Sequence, residues 1–196
     1  MQNYKFKLKI LHFTLSLCSI IIVITTNLHA NEWSVVKSQH FLVYYLDDKD
    51  FAQDVSRHAE RYYDKIASDL GYSRYDKFWQ WEDRAKIYIY QSHESFLAGT
   101  GIPRAWAKGV AKYNEKEIIS FRWNDGFLTE LLPHELAHLI FRDFVGFPAS
   151  GGGIPLWIDE GVAQWQEESK KREAKTIVRE LIRRNNYIPI RTLTRM

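Results

Sequence analysis

Residues 133–138 read Pro133–His134–Glu135–Leu136–Ala137–His138, and a second stretch, Leu156–Trp157–Ile158–Asp159–Glu160–Gly161–Val162–Ala163, follows after a Gly- and Pro-containing loop. Residues four apart on an α-helix share one face, so His134 and His138 can reach a single cation. Neutral imidazole is a good zinc donor at that spacing. Glu135 is turned about 100° around the axis, which sets it beside such an ion rather than on it. There it can accept a proton from a metal-bound water, whose pKa drops from about 15.7 to about 7. Leu136, Ala137, Leu139 and Ile140 suit burial of the same helix. Two histidines on a helix can also be incidental, and a catalytic zinc wants three protein ligands with one position left open. The second stretch supplies a carboxylate just after Pro155, a residue suited to the first turn of a helix. Glu160 and Asp159 compete for that role, and Gly161 is expected to let the two helices approach closely.

The paired motifs, HELAH at 134–138 and WIDEGVAQW at 157–165, resemble the gluzincin group of zinc metallopeptidases, and most of all the bacterial peptidase-MA-like domains. The likeness covers about residues 38–170. It implies that His134, His138 and Glu160 bind one Zn²⁺ and that Glu135 is the general base and acid. It also implies that the strand before the metal helix, Glu117–Trp123, pairs with extended substrate. A residue one turn after the ligand glutamate commonly orients the first histidine in such enzymes; Gln164 stands there, and Asp159 is a second candidate for supporting the ligands. Relatives place a Tyr or His well downstream to donate to the oxyanion. No histidine follows His138 and Tyr187 is the only tyrosine after Glu160, so the donor is Tyr187, an upstream group such as Tyr113, or missing.

Working outward, residues 40–46 suit a buried strand, and Asp50 to Leu70 repeats Phe51, Val55, Ala59, Tyr62, Tyr63, Ile66 and Leu70 at helical spacing before Gly71 stops it. Tyr72 to Glu82 reads as a loop. Ala85 to Tyr90 alternates as a strand, and Ser92 suits the cap of a short helix. Trp106–Tyr113 and Glu117–Trp123, split by Asn114–Glu115–Lys116, read as a hairpin. Gly126 to Phe144 is helical, with Pro133 either opening the metal helix or kinking it. Val145 to Ile154 is a loop whose glycines 151–153 suit a lid, and Pro155 to about Asn185 is mostly helical. The expected fold is α+β: a zincin-like domain with a small mixed sheet, a metal-binding helix and a following helix that carries the third ligand. His40, His58, Glu60, His93 and Glu94 lack metal-ligand spacing and are assigned structural or surface roles. The tryptophans Trp79, Trp81, Trp106, Trp123 and Trp157 are assigned to core and rim packing.

With 196 residues, 45% of them hydrophobic and 26% charged, the chain suits one globular domain. Its net charge of +3 lies wholly in residues 1–30, where Lys5, Lys7 and Lys9 meet no acid. The remainder balances at zero, which removes the electrostatic case for nucleic acid as a partner. Lys5–Lys9, an apolar run from Ile10 to Ile24 and a small residue at Ala30 have the layout of a signal peptide. The run is short for a membrane span, which needs about 20 residues. Leu28 occupies a place where a small residue is usual, so an uncleaved N-terminal anchor is the alternative to a periplasmic or secreted product. Cys18 is the only cysteine and falls within this segment, which excludes thiolate catalysis from the cleaved chain.

Residues 31–166 are then the catalytic domain, and 167–196 a basic amphipathic helix and short tail. Those thirty residues hold nine basic and four acidic side chains around an apolar stripe of Ala174, Ile177, Val178, Leu181 and Ile182. The stripe is expected to pack on the acidic body, with an anionic membrane surface as the alternative. The expected activity is endopeptidase cleavage of a peptide or protein substrate, and the rival is a catalytically inactive zinc-binding or interaction module. Expression in an exporting bacterial host is expected to yield a product whose mass begins at Asn31; a product retaining Met1 would identify the segment as an anchor.

Overall fold

The computed structural model describes residues 32–71, 79, 83–103, 106–123, 126–146 and 153–193. Alternation along three strands builds the sheet. Phe41 and Val43 of β2 (Phe41–Tyr45), Ala85, Ile87 and Ile89 of β3 (Ala85–Tyr90) and Ile118 of β5 (Glu117–Phe121) belong to one buried cluster. Successive side chains of a strand point to opposite faces, so the residues between them serve the other side. There Tyr44 stacks on Tyr88 at 4.7 Å and Trp33 meets Tyr88 and Tyr90 edge-on. The strand order is β1-β2-β3-β5-β4, with β2, β3 and β5 parallel. β1 (Ser34–Lys37) and β4 (Gly109–Lys112) close the edges in antiparallel register. β1 was not among the expected strands: its Ser-Val-Val-Lys segment is too short to show a period and takes its conformation from pairing with β2.

Helix α1 (Lys49–Asp69) begins where Asp48 accepts from the Phe51 N–H at 2.9 Å, and it ends at Gly71, whose φ of +71° suits a residue without Cβ. It buries Val55, Ala59, Tyr63 and Ile66 against the sheet, as its spacing predicts. α2 (His93–Thr100) is capped reciprocally by Ser92 and Ser95 and places Phe96 with Ile119 and Phe121 on the opposite face. The expected hairpin forms as β4 and β5, shorter than predicted at both outer ends. Gly126 to Phe144 divides into a π-helical run, Phe127–Leu131, and α3 (Leu132–Val145). Pro133 is the second residue of α3, directly after the π-helical run, so it stands at the opening of the metal helix and not in its interior. Leu132, Leu136 and Ile140 of α3 are fully buried in the α1 side of the core.

The third helical region also divides, into α4 (Leu156–Gln166), α5 (Glu168–Arg183) and, beyond the expected end, a short α6 (Ile190–Leu193). No residue of α5 is buried, and Ile177, Val178 and Ile182 are each at least half exposed. The expected packing of this stripe on the catalytic body is therefore not what forms. Near the α4–α5 junction the Lys171 and Lys175 amines of α5 sit over the Trp165 ring of α4. Residues 1–31, which include the expected signal segment, most of the Tyr72–Glu82 stretch including Trp81, and glycines 151 and 152 lie outside the described residues. Among the described residues no helix is long and apolar enough to cross a membrane.

His40 and Glu60 have a structural role, as assigned, but as partners of each other. The Glu60 carboxylate takes the His40 N–H at 2.8 Å and its ring Nδ1 at 2.6 Å, while the ring stacks on Tyr63 at 4.0 Å. Burial pushes the Glu60 carboxyl up, but these bonds and one from Ser38 reverse it, leaving it below the usual range. A carboxyl lowered on folding stabilises the protein above its unfolded pKa and loses that contribution as pH falls through the folded value. Glu60→Gln is therefore expected to cost about 2 kcal/mol near pH 7. The difference from wild type should vanish in acid-range denaturant titrations.

Candidate metal centre

α3 and α4 cross so that three side chains converge. Ligand atoms of His134, His138 and Glu160 all lie within 4.8 Å of one another. The two imidazole Nε2 atoms face each other at 3.1 Å; Glu160 Oε2 stands 3.7 Å from His134 Nε2 and Oε1 3.8 Å from His138 Nε2. Ligands at 2.0–2.1 Å from a tetrahedral ion are about 3.4 Å apart, so the set fits zinc within a few tenths of an ångström. Two histidines and one glutamate are also the donor set of catalytic zinc sites with an open position. These residues would hold the ion, and of the two competing carboxylates it is Glu160 that faces both Nε2 atoms.

The outer nitrogens of the same rings are met by carboxylates. His134 Nδ1 donates to Glu167 Oε1 at 2.8 Å, and His138 Nδ1 lies in ion-pair range of Asp159 Oδ1 at 3.1 Å. An ionised carboxylate only accepts, so Nδ1 carries the proton and the Nε2 lone pair is left for the ion. Asp159 and Glu167 are both buried. Burial pushes Asp159 up, but a 2.7 Å hydrogen bond from Arg142 Nη2 and the proximity of His138 hold its carboxyl below the usual range.

Three expectations change here. Gln164 is exposed, and the partner of His134 is Glu167, two turns after Glu160 and on the segment assigned to the basic tail. Spacing alone does not single it out: Glu167 enters the sequence reading only among the four acids of residues 167–196, and it follows the last residue of α4 in an extended conformation. Gly161 meets nothing within 4 Å of where a Cβ would be, so close helix approach does not require it. Glu117–Trp123 is not the edge: β5 lies between β3 and β4, with both sides paired, and among the described strands the edge on this side of the sheet is β4.

Beside that edge a cleft of about 590 Å³ is lined by Ile102, Pro103, Trp106, Val110, Leu131 and Glu135 among others. Burial raises the Glu135 carboxyl, the two histidines oppose it and Glu160 adds to it, leaving it above the usual range. Tyr187 is exposed and no described contact joins it to these residues. Tyr113 does touch the centre, its ring 6.4 Å from that of His138 and nearly perpendicular to it.

A model of the peptidase MA superfamily matches residues 76–196, more than half of the chain. The chain belongs to the peptidase MA superfamily. No curated protein matches it. The mixed α+β architecture is that of a peptidase-MA-like domain, and the match extends over α5, joining the basic helix to the domain that carries the two motifs.

The geometry separates neighbouring side chains on α4 experimentally. Glu167→Gln is expected to weaken zinc binding about 10- to 100-fold. Gln164→Ala and Gly161→Ala should bind as wild type, and Gly161→Ala should gain up to about 1 kcal/mol of stability as a helix-interior replacement. Chelator competition and thermal unfolding of the four proteins measure both effects.

Proposed function

We propose that this peptidase MA superfamily member is a zinc-dependent endopeptidase that cleaves peptides laid along β4. The observation that carries the reading is the convergence of His134, His138 and Glu160 with Glu135 next to them on the cleft wall. An ion held there supplies Lewis acidity, polarising the scissile carbonyl and bringing a water's pKa down to about 7. Glu135 receives the proton of the attacking water on its carboxylate and returns it to the leaving amine. Its raised pKa makes it a stronger base than an exposed glutamate once ionised, and its partial enclosure keeps the proton from bulk water. Unpaired backbone groups of β4 provide hydrogen bonds for an extended substrate, as strand addition does elsewhere. The largely apolar lining supports a preference for an apolar side chain close to the scissile bond.

The same reading takes residues 1–30 as an export signal, on the basic, apolar and small-residue succession, and places the enzyme in the periplasm or outside the cell. Asp159 and Glu167 orient the ligand histidines. No role as oxyanion donor is assigned to Tyr187, and Tyr113 is engaged behind His138 by Arg142.

Metal analysis and digestion of a mixed peptide library test the proposal. Wild type is expected to bind one zinc and cleave, with activity falling as pH drops through the raised Glu135 value, because a protonated carboxyl cannot accept from water. Glu135→Gln should keep the zinc and lose at least about 100-fold in turnover. Stoichiometric zinc without cleavage by wild type would leave a metal-binding module in place of the enzyme.

A further inference from the structure

Arg142 stands one turn beyond His138 on α3, and two contacts define it. Its Nη2 donates to Asp159 Oδ2 at 2.7 Å. Its guanidinium carbon lies 3.7 Å from the Tyr113 ring centroid. That ring in turn meets the His138 imidazole edge-on, at an interplanar angle of 80°. Because Asp159 Oδ1 faces His138 Nδ1 at 3.1 Å, the four side chains form a closed circuit around the more deeply buried of the two histidines.

Each link restricts a different freedom. The carboxylate can rotate about its own axis, and a planar guanidinium that bonds one oxygen limits where the other can point. The guanidinium could itself swing, but its carbon sits over an aromatic face at 3.7 Å from the ring centroid, a favourable arrangement for this cation. The Tyr113 ring is fixed in turn at the end of β4, packed against the main core. Asp159 is only 2% exposed with Arg142 in place, so Oδ2 has the guanidinium as its partner and not bulk water. His134, by contrast, relies on Glu167 alone among the described contacts of its Nδ1.

We propose that Arg142, braced on the Tyr113 ring, is a positioning residue for the metal centre: it holds the Asp159 carboxylate in the orientation that keeps the His138 imidazole turned with Nε2 toward the ion. The inference rests on the reading of His134, His138 and Glu160 as a zinc site. Arg142 touches neither the ion's place nor the cleft; it acts through Asp159. The Tyr113 contribution comes from its ring and not from its hydroxyl.

Zinc affinity of the full chain, measured by competition with a chromogenic chelator, tests this, with thermal unfolding of the metal-free protein recorded alongside. Arg142→Gln is expected to lose about 10- to 100-fold in affinity, the usual scale for a partner that orients a ligand. Arg142→Lys, which keeps the charge but not the planar fork, should recover part of it. Tyr113→Leu should lose affinity while Tyr113→Phe binds as wild type. In an Asp159→Asn background, Arg142→Gln should add less than about twofold, because the route it uses is already broken.

Wild-type affinity in both Arg142→Gln and Tyr113→Leu, even with a lower melting temperature, would reduce the cluster to a structural brace and overturn the proposal. An equal loss with and without Asp159 would overturn it as well, by placing Arg142 on another route. Should Arg142→Gln fail to fold, the Tyr113→Leu and Tyr113→Phe pair decides, and equal losses from the two would reject the ring. A wild-type chain that binds no zinc would overturn the underlying site reading, an outcome distinct from variants that bind as well as a binding wild type.

Discussion

An imidazole can offer a metal one nitrogen only if the proton on its other nitrogen has somewhere to go. On α3 this constraint applies twice, because His134 and His138 turn their Nε2 atoms toward each other at 3.1 Å and each Nδ1 therefore needs an acceptor on its far side. The facing carboxylates, Glu167 in a 2.8 Å hydrogen bond with His134 and Asp159 in ion-pair range of His138 at 3.1 Å, come from the α4 region that also carries Glu160. One helix thus supplies the two nitrogens, and the next supplies the third ligand together with the carboxylates that orient the first two. The arrangement requires α3 and α4 to be held in a single relative position.

The rest of the fold can be understood from that requirement. α3 is fixed on its apolar side by Leu132, Leu136 and Ile140 in the core beneath α1. Its far end is held by Asp143, which accepts from the buried Trp79 indole at 2.7 Å and pairs with Lys116 of the β4–β5 turn at 3.5 Å. α4 is tied to the end of α1 where Lys65 donates to Gln166 at 2.6 Å, immediately before Glu167. The parallel centre of the sheet lies under these helices, and its antiparallel edge, β4, borders the cleft. None of these attachments touches the ion's place; they act on it only through the position of the two helices.

Charge follows the same division. Carboxylates gather around the two histidines, where the cation that they would surround offsets their mutual repulsion, and Arg142 neutralises the most buried of them. Six of the C-terminal basic residues lie on α5, and all of these but the half-buried Lys171 are exposed, together with the Ile177, Val178 and Ile182 stripe. That helix looks amphipathic in sequence because it is so, yet amphipathicity states only that a helix has an apolar face and not which surface covers it.

Periodicity and spacing sufficed for much of this protein. The four-residue interval placed His134 and His138 on one face, the 3.6-residue pattern of Phe51 to Leu70 produced α1, and the two-residue alternation of Ala85 to Tyr90 produced β3, because each of these depends on neighbours close in the chain. Asp159 was legible as a supporting residue beside Glu160, but Glu167 was not, since whether an acidic residue is solvated or faces an imidazole depends on the crossing of two helices. The same holds for β1, which exists only by pairing, and for the order of β4 and β5, which decides which of them is an edge. Sequence by itself brought out His134, His138 and Glu160 as a candidate ligand set, together with the elements that bear them. Only the tertiary structure decided the partners of those ligands, because a hydrogen bond between side chains far apart in the chain is specified by packing and not by spacing.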